Sequence, residues 1–255
     1  MRGIQTWVAA GMAAGMGWLA IGAGVAEAHG RDYLVTQPYY TAKRGEFEVE
    51  VWTDFKMPKL DDAGTYNFKQ QYEVEYGVTN HFQVAAYEIV KWDRTDDFEV
   101  DAYKIETKYR FAEEGQWPVD VALYGEYENP NGRADTEPQE LEGKLILSRD
   151  FGPLNLTGNM ILQKRLQSGH HVELSYALGA SYPIAPTARV GLELTETLGD
   201  VQEEFGFRRA DHELYLVPGV YVNLTKDLRL LAGVAVGLTR GSDDVQFRSI
   251  LEWEF

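Results

Sequence analysis

The feature that most constrains this chain is a two-residue alternation of apolar and polar side chains, which recurs along almost all of it after residue 43. In FEVEVWTDF, Phe47, Val49 and Val51 share one parity, while Glu48 and Glu50 share the other. About twelve such stretches follow one another, each roughly 9–14 residues long, which is the length that a tilted strand needs to cross a bilayer. The pattern therefore predicts an all-β chain whose strands each present one apolar face.

The connections between the predicted strands fall into two classes. The first class is short: GVTN, DFG, PIAP and TKD, with AEEGQWP slightly longer. The second class is generally longer and more charged: KMPKLDDAGT, KWDRTDD, NPNGRADTEP and GDVQEEFGFRRA. Two connections of the second class, QSGH and RGSDD, are exceptions because they are short. Short turns that alternate with longer loops on an even number of strands are typical of a bacterial outer-membrane barrel. The sequence thus predicts one antiparallel, up-and-down transmembrane β-barrel of about 12 strands.

A soluble β-sandwich or a lipocalin-like barrel is the alternative, because both also have period-2 strands. The small residues on the polar parity favour the membrane barrel. Ala177, Gly179 and Ser181 suit a confined polar lumen better than a surface that faces water.

The first 28 residues are of a different kind. They contain a cation in MRGIQT, an apolar uncharged run, and Ala26-Glu27-Ala28 at the end, which is the layout of a cleaved secretory signal peptide. A membrane-anchoring helix is the alternative, since the run is about long enough to span. We therefore predict a signal peptide over 1–28, a periplasmic N-terminal lead segment over 29–43 and the barrel over 44–255. An exported barrel is expected in the cell outer membrane.

Composition narrows the functions that such a chain can have. With 40 acidic and 24 basic residues the net charge is −16, so nucleic acid is not an expected partner. The chain has no cysteine, which removes a disulfide framework, a thiolate metal site and a cysteine nucleophile. It also lacks G-x-S-x-G, H-E-x-x-H and a glycine-rich phosphate loop. No cofactor and no enzymatic activity are predicted, and an outer-membrane enzyme is the least favoured function.

Aromatic residues make up 13% of a chain whose mean hydropathy is only −0.35. A barrel reconciles the two values, because only one face of each strand meets lipid. The aromatic residues lie near predicted strand ends, where amphipathic rings favour the membrane interfaces: Trp52, Tyr66, Tyr76, Phe82, Trp92, Phe98, Tyr109, Phe111, Trp117, Tyr182 and Trp253. Outer-membrane lipids are therefore expected partners.

The final strand, which ends in SILEWEF, is predicted to close the barrel against the first strand so that no edge stays unpaired in lipid. Phe247, Leu251 and Phe255 are then expected to face the bilayer, with Arg248 and Glu252 on the lumen side. A terminal strand with Trp253 and Phe255 also resembles the signal that the outer-membrane assembly machinery reads. That machinery is a second expected partner.

Two stretches resemble a known family. The stretches are TQPYYTAKRGEFEVEV, residues 36–51, and YEVEYGVTNHFQV, residues 72–84. They are similar to the opening of a family of poorly characterised Gram-negative outer-membrane proteins. These proteins are classed as transporter-like barrels, with the phenol meta-pathway degradation group among them. The resemblance rests on Gly45-Glu46 and on EYGVT with FQ at the first short turn, and the later strands match only in pattern. It implies an outer-membrane barrel and a transport role. It carries no substrate or catalytic residue to this chain.

The polar parity defines a predicted lumen with an acidic excess, which favours cations or cationic solutes. Its candidate solute-path residues are Glu48, Glu50, Asp54, Lys69, Glu73, Glu75, Glu106, Lys108, Arg110, Asp120, Glu126, Arg189, Glu193, Arg229 and Arg248. The sequence leaves two interpretations open: a porin-like conduit for small solutes, or a non-conducting structural or interaction barrel filled by a salt-bridge network.

No metal site is predicted. The residues nearest to one are His29 at the expected mature N-terminus and His170 with His171 at a loop edge, since imidazole suits copper or zinc. Paired carboxylates also occur in four predicted external loops: Asp61-Asp62, Asp96-Asp97, Glu203-Glu204 and Asp243-Asp244. Such pairs can bind hard divalent cations, or they can simply keep the loops solvated.

Overall fold

A computed structural model describes residues 32–60, 66–93, 98–131, 138–202 and 212–255. Within these ranges twelve antiparallel strands form one closed barrel, in which each strand pairs with its neighbours in the chain and the last pairs with the first. The strands are β1 (Phe47–Met57), β2 (Asn67–Thr79), β3 (Phe82–Asp93), β4 (Glu99–Arg110), β5 (Asp120–Pro130), β6 (Glu140–Phe151), β7 (Leu154–Arg165), β8 (Val172–Ala185), β9 (Ala188–Asp200), β10 (Glu213–Asn223), β11 (Leu228–Gly237) and β12 (Val245–Glu254). The predicted fold is confirmed. No helix in the described part of the chain is long and apolar enough to cross a membrane.

The barrel has two distinct ends because the strands run up and down. One end, called the short-turn end below, holds the connections 80–81, 111–119, 152–153, 186–187 and 224–227. The opposite end, called the long-loop end, holds the connections that follow β1, β3, β5, β7, β9 and β11. The segments 1–31, 61–65, 94–97, 132–137 and 203–211 lie outside the described residues. The predicted signal peptide, His29 and three of the four loop carboxylate pairs fall within them.

The alternation of the sequence becomes an alternation of burial across the wall. On β1, Glu48, Glu50 and Asp54 point inward and are at most 8% exposed, whereas Phe47 points outward and is 49% exposed. Apolar outward residues such as Tyr72 and Leu123 continue this exposed surface round the barrel. A contiguous apolar exterior of this kind matches the surface that a barrel presents to lipid.

The last strand closes the barrel in the predicted orientation. β12 pairs with β1 in a register that places Glu252 opposite Glu50, and the Phe255 amide donates to the Phe47 carbonyl at 2.8 Å. Trp253 and Phe255 face outward and are 51% and 62% exposed.

Trp52 is a correction to the aromatic pattern. It was expected near a membrane interface, but it lies on the inward parity of β1 and is 7% exposed. Its indole Nε1 donates to the Glu73 carboxylate at 3.2 Å. An indole brings a polar handle as well as an apolar body, so a tryptophan on the polar parity can pack inside the wall.

Residues 32–43, which the sequence analysis assigned to a periplasmic lead segment, enter the barrel, and all of them except the exposed Lys43 are buried or partly buried; they are called the lumenal segment below. Tyr33, Leu34 and Thr36 are at most 1% exposed and Tyr39 is 4% exposed. The segment returns to the wall at Gly45, whose φ of +86° is in the left-handed region that favours glycine. The barrel therefore encloses a stretch of its own chain.

Candidate functional site: the barrel lumen

One carboxylate holds the backbone of the lumenal segment. Glu193 on β9 is 1% exposed, and it accepts hydrogen bonds from the amides of Leu34, Val35 and Thr36 at 2.7, 2.9 and 2.7 Å. The Tyr221 hydroxyl donates to the same carboxylate at 3.3 Å. Three consecutive amides that converge on one anion form a charge-assisted clamp. The function of Glu193 in this structure is thus to hold the segment in place.

The side chains of the segment fill gaps left by glycines in the wall. A Cβ on Gly179 of β8 would lie 2.6 Å from Cδ1 of the Tyr33 ring and 3.1 Å from the Thr36 hydroxyl. Leu34 packs with Val217, Leu231 and other inward apolar residues of β1, β10, β11 and β12. Gly179, one of the small residues that suggested a polar lumen, therefore accommodates this segment.

The Tyr33 hydroxyl lies inside the barrel towards the short-turn end, where it donates to the Asn155 side chain at the start of β7. Burial raises the pKa of this hydroxyl to about 12, because the charged phenolate is disfavoured away from water. A tyrosine hydroxyl is neutral at physiological pH even without burial, and burial holds this one further in its neutral, donating form.

The second half of the segment runs along the opposite wall. The Gln37 amide donates to the Asn159 side-chain oxygen at 2.6 Å, and the Asn159 side-chain nitrogen donates back to the Gln37 carbonyl at 3.0 Å. Tyr39 packs against Ala122 and Ile146, and its hydroxyl donates to the Ala112 carbonyl. These contacts connect the segment to β5, β6 and β7, so it crosses the lumen from one wall to the other.

Partly buried ion pairs anchor the segment at its start. Asp32 lies 2.6 Å from Arg229 Nη2 and 3.2 Å from Arg189 Nε. Arg248 binds Asp54 through two contacts, of 2.6 and 2.9 Å, and also donates to the Leu34 carbonyl at 3.0 Å. Both arginines that bind Asp32 were predicted lumen residues, but Asp32 itself was missed because it precedes the alternating region.

Each predicted solute-path residue shares the inward parity of its strand, but their surroundings differ. The residues that contact the lumenal segment or its anchors are Asp54, Lys108, Arg110, Arg189, Glu193, Arg229 and Arg248. Lys104, which the sequence places in the lumen, pairs with Glu126 at 2.7 Å and with Glu128 at 2.9 Å. Glu48, Glu50, Glu73, Glu75 and Glu106 are between 0% and 8% exposed. These residues lie inside the barrel, and their use as a solute path stays a prediction.

A cavity of about 180 Å³ remains in the long-loop half of the barrel. Its lining includes Lys56, Thr195, Glu213 and Gln246 from the wall, and Val35 from the lumenal segment. The segment therefore bounds this cavity on the side that faces the short-turn end.

The histidine and loop candidates are not brought together. His171 lies 2.8 Å from Asp200, and the His170 carbonyl accepts from Lys164. In the fourth loop pair, Asp244 accepts from the Leu60 amide at 2.8 Å, and Asp243 accepts from the Gln246 side chain. Among the described residues, the clusters close enough to share a metal ion contain glutamates only.

Comparisons with known proteins agree with the fold. No family model and no curated protein matches this chain. Among solved structures, the KdgM porin in complex with oligogalacturonate superposes with a TM-score of 0.59 and 9% identity, over 82% of this chain and 99% of that one. The NanC porin superposes with a TM-score of 0.57 and 12% identity, over 80% of this chain and 98% of that one.

The COG4313 outer-membrane channel from Pseudomonas putida F1 gives a TM-score of 0.58 and 11% identity, over 85% of this chain and 98% of that one. Identities this low establish a shared fold only. The chain thus has the architecture of the outer-membrane porins and channels.

Proposed function

We propose that this protein is an outer-membrane, porin-like conduit for small solutes, with its lumenal segment as a constriction in the short-turn half. The observation that carries the proposal is the division of the wall into an apolar exterior and a charged interior. A closed barrel of this kind satisfies its backbone hydrogen bonds within lipid and keeps a polar interior. The fold that it shares with porins and channels supports the same function.

The acidic excess of the lumen supports a preference for cations. Glutamates on β1 and β2 place negative charge on one side of the interior, and an interior field of one sign attracts solutes of the other sign. The resemblance of residues 36–51 and 72–84 to the phenol meta-pathway barrels supports a transport role. Outer-membrane lipids, the assembly machinery and a small solute are the proposed partners, and the proposal includes no catalytic step.

Single-channel recording of the refolded protein in planar bilayers tests the conduit. We expect small conductance steps from the wild type and larger ones from a variant that lacks residues 32–43, because the deletion empties the short-turn half. Neutralising Glu48, Glu50, Glu73 and Glu75 together should shift the reversal potential in a salt gradient towards zero. A chelator in this measurement keeps divalent cations out of the lumen. An unchanged potential would remove these acids as the origin of selectivity.

The second candidate is a non-conducting structural or interaction barrel. The specific observation in its favour is the depth at which the lumenal segment is held, with Leu34 and Thr36 at 0% exposure. If neither the wild type nor the deletion variant conducts, the conduit is wrong and this second function replaces it.

A further inference from the structure

The cavity of about 180 Å³ in the long-loop half of the barrel is bordered by charges of both signs. Lys56 borders it from β1, and Glu213 borders it from the start of β10. In the order of strands round the barrel, β12 and β11 lie between these two, and Gln246 of β12 is opposite Lys56 in register. The cavity therefore occupies one side of the lumen, with a positive and a negative group at separate positions in its wall.

Lys56 supplies the positive charge of the cavity. Asp54, the acid two positions earlier on the same face of β1, is bound by Arg248 through contacts of 2.6 and 2.9 Å. Within the described part of the chain Lys56 itself forms no ion pair. Lys104 on β4 differs, because it is bound by Glu126 at 2.7 Å. The Lys56 ammonium group can therefore bind the anionic group of a ligand by a charge-assisted hydrogen bond.

Glu213 supplies the negative charge of the cavity. This residue is exposed, and the Tyr215 hydroxyl donates to its carboxylate at 3.4 Å. An ionised carboxylate has about four acceptor positions on its two oxygens, so it can accept from an ammonium group in addition to the contacts that it already has. Glu196 also borders the cavity, but its carboxylate accepts from Tyr176 and His212. Glu213 is therefore the acid that can bind a cationic group in this cavity.

The side of the cavity that faces the lumenal segment is apolar. Val217 and Ala235 line it, are 2% and 9% exposed, and belong to the buried cluster that contains Leu34. Val35 of the segment packs against the same cluster, and Glu193 accepts from its amide at 2.9 Å. An apolar cavity of about 150 Å³ is large enough for benzene. This cavity therefore suits a small molecule that carries an apolar group of a few carbon atoms.

We propose that this cavity binds a small zwitterion with an apolar side chain, in the manner of an aliphatic α-amino acid. The ammonium group of the ligand binds Glu213, its carboxylate binds Lys56, and its side chain lies against Val35 and Val217. A simple anion would leave Glu213 unused and a simple cation would leave Lys56 unused, whereas a zwitterion engages both. The longer loops of bacterial outer-membrane barrels are extracellular, so solutes from outside meet this cavity first. The inference rests on the proposed conduit and names the class of solute that it takes.

Saturation-transfer difference NMR on the full refolded chain in detergent micelles tests this site, with L-valine as the probe and micelles without protein as the blank. Three analogues each lack one of the proposed contacts: isobutylamine is valine without its carboxylate, isovalerate is valine without its amine, and glycine lacks the side chain. We expect saturable valine binding to the wild type. Each analogue should bind at least about tenfold more weakly than valine, because a charge-assisted contact or the apolar contact is lost.

Two variants of the cavity lining assign the charges. In Lys56→Met, isobutylamine should bind at least as tightly as valine, and in Glu213→Gln isovalerate should do so, because the group that each analogue lacks no longer has a partner. The matched controls are Lys59→Met, a lysine at the same end that pairs with Asp244, and Glu140→Gln, the inward first residue of β6. Both controls should keep the wild-type order of affinities. If Lys56→Met does not refold, Lys56→Gln replaces it, with the same expected result.

The zwitterion site is overturned if the wild type shows no saturable valine binding, or if isovalerate or isobutylamine binds the wild type as tightly as valine does. It is also overturned if either lining variant keeps the wild-type order of affinities. Conductance is measured separately, so the two proposals fail separately. A conducting protein that does not bind valine removes the zwitterion site and keeps the conduit, whereas valine binding by a protein that does not conduct removes the conduit and keeps the site.

Discussion

The clamp made by Glu193 allows a quantitative test of how firmly the lumenal segment is held. Glu193→Gln leaves one side-chain oxygen where there were two, so at least one of the amides of residues 34–36 loses its acceptor. Hydrogen bonds to a charged group contribute about 1.5–3 kcal/mol each, and the bonds that remain lose their charge assistance. We estimate a cost of about 2–4 kcal/mol for docking of the segment. This cost raises the undocked population about 30-fold to several-hundred-fold, since about 1.4 kcal/mol corresponds to a factor of ten.

Cysteine labelling measures this population, because the chain has no cysteine of its own. Thr36→Cys places a thiol where the native residue is 0% exposed, so a maleimide reagent reaches it when the segment undocks. In this background Glu193→Gln should raise the labelling rate by at least about an order of magnitude. Glu196→Gln is the matched control on the same strand: Glu196 is 3% exposed and accepts from Tyr176 and His212, not from the segment. Equal rates in the Glu193 and Glu196 variants would refute the clamp.

Three further predictions follow from the wall and its ends. Gly179→Ala should raise Thr36→Cys labelling, because the added Cβ meets atoms of the lumenal segment; Gly143→Ala, whose Cβ would have no neighbour nearer than 3.9 Å, should not. Glu114 lies on the exposed connection between β4 and β5, and its partial burial there, followed by a hydrogen bond with Asp150, raises its pKa from 4.5 to about 7. The stabilising contribution of Glu114 is therefore present below about pH 4.5 and is lost as pH rises through 7. The urea unfolding midpoint of Glu114→Gln minus that of the wild type should therefore be more positive at pH 8 than at pH 5. Deletion of Phe255 should reduce the amount of barrel assembled in cells more than it lowers the urea midpoint of refolded protein, and an equal loss in both would argue against an assembly signal.

Each strand of the barrel wall could be predicted on its own, because the alternation that defines it lies in neighbouring residues. Parity placed Glu50 and Glu73 inside and Phe247 and Leu251 outside, and the structure agrees at each of these positions. Trp52 shows the limit of residue type as a guide. Its parity was correct for the lumen, but the general preference of tryptophan for membrane interfaces suggested another location.

The lumen could not be predicted to the same degree. Residues 32–43 precede the alternating region and carry no periodic signal, so nothing in their sequence indicated that they lie inside the barrel. Their partners are distant in the chain: Leu34 is bound by Glu193, and Tyr33 by Asn155, at separations of 159 and 122 residues. The glycines that admit them, such as Gly179, suggested only a confined polar lumen.

The sequence by itself determined that this chain alternates with a period of two, forms about twelve strands and divides its side chains between an apolar and a charged face. That much follows from neighbouring residues, since successive side chains of a strand point to opposite sides. Only the tertiary structure decided what occupies the interior and which acids meet. Closure brings β12 beside β1, so Glu252 joins Glu50 and Glu73 across some two hundred residues of chain. The same closure creates the space that the lumenal segment fills, because an interior exists only after the last strand has paired with the first.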